Sequence, residues 1–229
     1  IDLLLTIANQ DERGSLILFQ VAENHENAEL ILQNENWLRM KLPTIEDTLK
    51  LLLVIFCHPD LRLQAAENPY FFKFFNTAIK QESANTGTLT VICTVLRRIK
   101  ITKSIKKQLK DIHFLSTFVN KANDIGENMA IHSAILLINT LSEKGPQTFF
   151  PEFLDFIEYF CEIAKEKGPL SNVSTELLVH LAKYDQCMEL LIKLGMKKFF
   201  KKKLNSKDQR MSEVAEEFFE ILEGGDDSE

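Results

Sequence analysis

Asp185-Gln186-Cys187-Met188-Glu189-Leu190-Leu191-Ile192-Lys193-Leu194-Gly195 opens on an acidic residue, carries apolar residues at helical spacing and stops on a glycine. It reads as a short helix closed by a residue that tolerates the left-handed conformation or caps the next helix. An aromatic-rich helix, Met196–Leu204, follows at once, then a polar loop and a longer aliphatic segment, Val214–Leu222. Glu26–Asn34, Pro59–Asn68 and Thr102–Asp111 occupy the same place as the short helix and end in Asn34, Asn68 and Asp111. Asn68 and Asp111 lie 43 residues apart; Asp111 and Gly195 lie 84 apart, twice the step. In the copy between them, Gly145-Pro146 and Pro151 stand in place of the short helix.

The other elements keep this period. The aliphatic segments Val91–Ile99, Ser133–Leu141, Thr175–Leu181 and Val214–Leu222 end at Ile99, Leu141, Leu181 and Leu222, in steps of 42, 40 and 41. Gly87, Gly126 and Gly168 mark the loops before three of them, and Phe71–Ile79, Phe114–Asn120 and Phe153–Ala164 match Met196–Leu204. A period near 41 sustained over four copies is the signature of a repeat protein. One such unit cannot bury its own apolar faces; stacked copies cover one another.

Composition agrees. The 229 residues are 45% hydrophobic and 26% charged, with only 8 Gly and 6 Pro, too few for the turns of an all-β protein. The net charge of −6 is not that of a general nucleic-acid binder. The longest apolar run, Leu51–Cys57, is far short of a membrane span, so no membrane partner is expected. Cys57, Cys93, Cys161 and Cys187 stand far apart, each in an apolar stretch, and read as buried free thiols. That pattern fits a cytoplasmic location, extending to the nucleus. The chain opens on Ile1 rather than Met, and the parent protein is expected to continue N-terminally.

A short helix ending in Gly or Asn, then two longer antiparallel helices in about 40 residues, resembles the armadillo repeat. Asn24–Met40 and Tyr184–Phe200 carry the resemblance most plainly. It implies an all-α, right-handed superhelix of about six repeats: 1–33, 34–67, 68–110, 111–150, 151–194 and 195–222. Residues 223–229 follow as an acidic disordered tail. It also implies a concave groove lined by third helices, holding an extended peptide or protein segment. The groove-facing ladder would comprise Arg97, Asn139 and His180, with Cys93, Ile135 and Glu176 one turn earlier. Importin-type armadillo proteins repeat a Trp and an Asn there; only Asn139 matches and Trp37 lies elsewhere, so binding of classical nuclear-localisation signals is not expected.

Other motifs carry less. His58-Pro59-Asp60 is the tripeptide by which J-domains engage their chaperone partner, but the preceding Leu49–Cys57 is almost wholly apolar. Pro59 and Asp60 are read instead as a helix start. His25, His58, His113, His132 and His180 show no metal spacing, and there is no phosphate-binding Gly loop or nucleophile elbow. No catalytic residue, cofactor, metal or small-molecule substrate is expected. Two basic clusters stand out: Arg97, Arg98, Lys100, Lys103, Lys106, Lys107 and Lys110; and Lys197, Lys198, Lys201, Lys202, Lys203 and Lys207. Each reads as a solvated helical face or as a patch for an acidic peptide, a phospholipid surface or RNA.

The function expected from all this is a non-enzymatic scaffold or adaptor, with a client-binding co-chaperone or assembly factor as a variant. Chaperone partnership would require regions beyond these residues. The alternative is a structural component of a cytoskeletal or ciliary assembly that uses its outer or lateral surfaces.

Overall fold

The computed structural model describes residues 6–8, 12–34, 38, 44–144 and 146–224. Trp37, Gly145 and the end of the tail, 225–229, lie outside them. Two compact units are present, Ile1–Leu137 and Ile138–Glu229.

The first unit contains α1 (Glu12–Ala22), α2 (His25–Gln33), α3 (Ile45–Ile55), α4 (Leu61–Glu67), α5 (Phe71–Lys80), α6 (Thr86–Arg97), α7 (Lys103–Asp111) and α8 (Phe114–Ile125). It also holds the first part of α9 (Asn128–Lys144). Polar residues start many of these helices. Asn24, Thr44, Asn85 and Thr102 accept from the backbone N–H three residues on, and Asn85 with Thr88 completes a capping box. The triplets α4-α5-α6 and α7-α8-α9 reproduce the short, aromatic and aliphatic elements read from the sequence.

Equivalent helices stack. The aliphatic helices α1, α3 and α6 pack in succession, as do the short helices α2, α4 and α7, and the aromatic α5 lies on α8. α6 buries Leu89, Ile92, Cys93, Val95 and Leu96. Phe56, Phe71, Phe72, Phe75, Phe114 and Phe118 form the aromatic core, with Phe71 centred 4.7 Å from Phe75, 5.0 Å from Phe72 and 5.9 Å from Phe56. Polar ties link neighbouring copies near the repeat step: Thr86 Oγ1 donates to Glu127 Oε2 (2.5 Å), and Lys121 Nζ donates to the Gln81 carbonyl (3.0 Å). Gly14 is required by close approach, since a Cβ there would lie 2.8 Å from the backbone of Ile7 and Ala8.

The second unit holds the rest of α9, then α10 (Pro146–Lys165), α11 (Ser171–Ala182), α12 (Asp185–Lys193), α13 (Met196–Lys203) and α14 (Gln209–Gly224). α10 is one 20-residue helix where other copies have two. It begins at Pro146, a residue suited to the first helical position, and runs on through Pro151. α11 packs against α10, α12 and α14, and Phe200 of α13 stacks on Phe218 of α14 at 4.1 Å. The Tyr184 hydroxyl donates to the Ser142 carbonyl (3.2 Å), another tie at the repeat step.

Several expectations are corrected. The left-handed turn between short and aromatic helices occurs at Gly195 (φ 76°), as read from the sequence, but in the preceding triplet at His113 (φ 48°). Asn34 and Asn68 keep negative φ, and Asp111 is the last residue of α7. The Asn68 side chain instead accepts from the Tyr70 N–H (2.9 Å), which makes the turn without a left-handed residue.

Cys57 is exposed, because α3 ends at Ile55 and the chain turns outward; Cys93, Cys161 and Cys187 are buried free thiols. Burial pushes Cys93 up to about 11 and Cys161 and Cys187 up to about 12. Thiolates are the reactive form. Ellman's reagent should therefore label one of the four thiols quickly in the native protein and the other three only on unfolding. Cys57→Ser should leave the native protein unlabelled; fast labelling in that variant would contradict the buried placement of the others.

Candidate functional site

Residues of three aliphatic helices, all within the second unit, line a polar hollow of about 430 Å³. α9 supplies Asn139, α11 supplies Glu176, Val179 and His180, and α14 supplies Arg210, Glu213, Val214 and Glu217. On α14 these positions follow i, i+3, i+4 and i+7, one stripe of a helix whose opposite face buries Met211, Ala215 and Phe218. On α11 the spacing is i, i+3 and i+4, while Leu177, Leu178 and Leu181 fill the core. Repetition thus turns the same kind of face of successive aliphatic helices toward one space.

The electrostatics of the hollow are acidic but ordered. Arg210 grips Glu176 with two hydrogen bonds, Nε to Oε1 at 2.6 Å and Nη2 to Oε2 at 2.8 Å. Such a two-point fork fixes geometry as well as charge. Lys183 Nζ pairs with Glu217 Oε1 at 3.0 Å, and Gln209 Nε2 donates to Glu213 Oε1 at 2.9 Å. The lining itself carries three carboxylates against one guanidinium. Asn139 Oδ1 is buried and has no hydrogen-bond partner among the described residues. An unpaired buried acceptor costs stability, so it invites a donor from a ligand. Such a space can bind a segment through its main-chain N–H groups and a basic side chain.

The structure therefore brings together Asn139, His180 and Glu176 from the sequence-derived ladder. Arg97 is exposed in the last turn of α6, in the first unit. The side chains of Cys93 (3% exposed) and Ile135 (1%) lie in the core of that unit. Arg210, Glu213 and Glu217 were missed by the sequence reading. Their signal was the i, i+3, i+7 stripe of polar residues on the last aliphatic helix.

The remaining candidates sit elsewhere. Arg98, Lys103 and Lys107 are exposed at the end of α6 and along α7, whose Ile105 and Leu109 are buried. Lys197, Lys201 and Lys202 are exposed on α13. Asp60 does not cap α4 with its side chain. Its carboxylate binds His25 Nε2 at 2.5 Å, while His58 Nε2 is 3.1 Å from the Ala22 carbonyl oxygen, so the tripeptide ties short elements of the repeat together. That hydrogen bond raises the His25 imidazole above its ordinary value and lowers the Asp60 carboxyl. Among the described residues no three His, Cys, Asp or Glu side chains are grouped to hold a metal ion, and no helix is long and apolar enough to cross a membrane.

No protein-family model and no characterised protein matches the chain by sequence. Solved structures do match by fold. A designed armadillo repeat protein in complex with the peptide (KR)4 superposes with a TM-score of 0.70 at 10% identity, over 96% of this chain and 98% of that one. An engineered protein solved by a structural genomics consortium gives 0.68 at 13% identity, over 97% and 96%. The fold is all-α and armadillo-like.

Proposed function

We propose that this armadillo-like chain is a non-enzymatic protein-binding scaffold, and that the hollow between α9, α11 and α14 receives an extended segment of a partner. The observation that carries the reading is the convergence of Asn139, with its unpaired buried oxygen, and the carboxylates Glu213 and Glu217 on one repeated face. An asparagine amide can both accept from and donate to the main chain of an extended peptide. The carboxylates favour a Lys or Arg side chain beside it. The designed armadillo protein of similar fold binds (KR)4, which supplies a ready probe.

Labelled (KR)4 titrated with the full chain is expected to bind with an affinity that falls about tenfold or more in the double variant Asn139→Ala/Glu213→Gln. Both side chains face the hollow, so the thermal midpoint should barely move. Equal affinity of wild type and variant for the peptide would place binding outside this hollow. A folding client or an assembly partner would be distinguished by the segment captured.

The assembly-component reading is favoured by a different observation. Leu16 (60% exposed), Ile17 (47%) and Leu30 (47%) present apolar side chains on α1 and α2, in the first unit. Exposed apolar side chains that form a contiguous patch are a feature of interaction surfaces.

A further inference from the structure

We propose that α13 is a peripheral docking surface for an anionic phospholipid bilayer. At about 100° per residue, Lys197, Lys201, Lys198 and Lys202 fall in that order within roughly 140° of the helix circumference. All four are exposed, while Met196 and Phe200 on the other side are buried. None of the four has an ion-pair partner among the described residues, in a unit where Lys183 and Arg210 do. Two more lysines extend the patch across the helix junction. Lys193 is exposed in the last turn of α12, and Lys165 donates to the Leu194 carbonyl (3.1 Å), which holds its ammonium beside the start of α13. This concentration of positive charge stands on a chain whose net charge is −6.

The chemistry of the patch selects the partner. Every cation in it is a lysine, a compact and hydrated point charge, whereas planar two-point recognition of a phosphate favours arginine. Binders of single-stranded RNA add to their cations exposed aromatic faces on which bases stack. Phe200 is buried and Phe199 is half-buried, with the Lys203 ammonium 5.3 Å over its ring. What remains is a set of ammonium groups on the outward arc of one helix, suited to many headgroups at once. Clusters of four to eight Lys or Arg on a helix bind anionic lipid in this way, each charge strengthening binding about fivefold. No apolar side chain of the arc enters the bilayer, so attachment is electrostatic and reversible.

Co-sedimentation of the full chain with phosphatidylcholine/phosphatidylserine vesicles tests this. The wild type is expected to sediment with these vesicles at low salt and not with phosphatidylcholine alone. Raising the salt to about 0.5 M, where the screening length falls to roughly 4 Å, should release it. The variant Lys197→Gln/Lys198→Gln/Lys201→Gln/Lys202→Gln should bind about 600-fold more weakly, four factors of about fivefold. Its circular dichroism, melting profile and affinity for (KR)4 should be unchanged, because the substituted side chains are exposed and outside the hollow. The proposal is overturned if the wild type ignores the anionic vesicles, if the variant binds them equally well, or if the wild type captures polyuridylate or polyglutamate but not vesicles. None of these results depends on whether the hollow binds a peptide.

Discussion

Phe218→Ala is expected to destabilise the protein by about 3–5 kcal/mol, the range for deleting a buried Phe side chain. Phe218 is 0% exposed and lies nearly parallel to Phe200, with centroids 4.1 Å apart and planes inclined by 15°. The two rings join α13 to α14, and Met211 and Ala215 complete the buried face of α14. Alanine leaves a cavity that the short α13 cannot refill, since its other inward residue, Met196, is already fully buried. At about 2–4 °C per kcal/mol for a chain of this size, the melting midpoint should fall by roughly 10 °C. Phe218→Leu should cost much less, because it keeps most of the volume and loses chiefly the ring pairing, worth about 0.5–1.5 kcal/mol. A melt of Phe218→Ala matching the wild type would mean that the stack does not hold the end of the unit together.

Phe71→Ala is expected to have an effect of the same size in the first unit, about 3–5 kcal/mol. Phe71 touches three other rings: Phe56 stacked at 5.9 Å, Phe72 edge-on at 5.0 Å and Phe75 at 4.7 Å. It sits at the start of α5, so its loss removes both the packing beneath α5 and the contact that seats the end of α3. Phe71→Ala and Phe75→Ala share this cluster, and their combined cost should depart from the sum of the two. In a repeat protein, contacts run between neighbouring copies. Hydrogen exchange in Phe71→Ala should therefore rise first in α3, α5 and α6. Uniform acceleration through both units would argue that the chain unfolds as a single block.

The candidate site was partly legible in the sequence. Asn139, Glu176 and His180 could be placed on one surface because a period near 41 carries a residue to the equivalent face of the next copy. The same register also selected Cys93 and Ile135, which are core residues. Periodicity identifies equivalent positions, but it does not say whether a position one turn back points into the hollow or into the stack. Arg210, Glu213 and Glu217 escaped because a charged stripe on a final helix looks the same whether it meets solvent or lines a recess.

Asp60 illustrates the same limit. Locally it looks like a helix cap, yet its carboxylate joins His25, 35 residues away, because the stacked short helices bring the two together. Cys57 differs in kind: its apolar neighbours suggested burial, but α3 stops two residues before it and the turn leaves it outside.

The sequence by itself determined the helical class, the repeat and its order of short, aromatic and aliphatic helices, because apolar spacing and capping residues act within a few turns of chain. It also marked α13 as basic, since charge is a property of composition. Only the tertiary structure decided which carboxylates share a space with Asn139, which lysines stand without an ion-pair partner among the described residues, and that a left-handed turn falls at His113. Those depend on side-chain directions and on contacts between residues about 35 to 43 positions apart, which only the stacking of one copy on the next brings within reach.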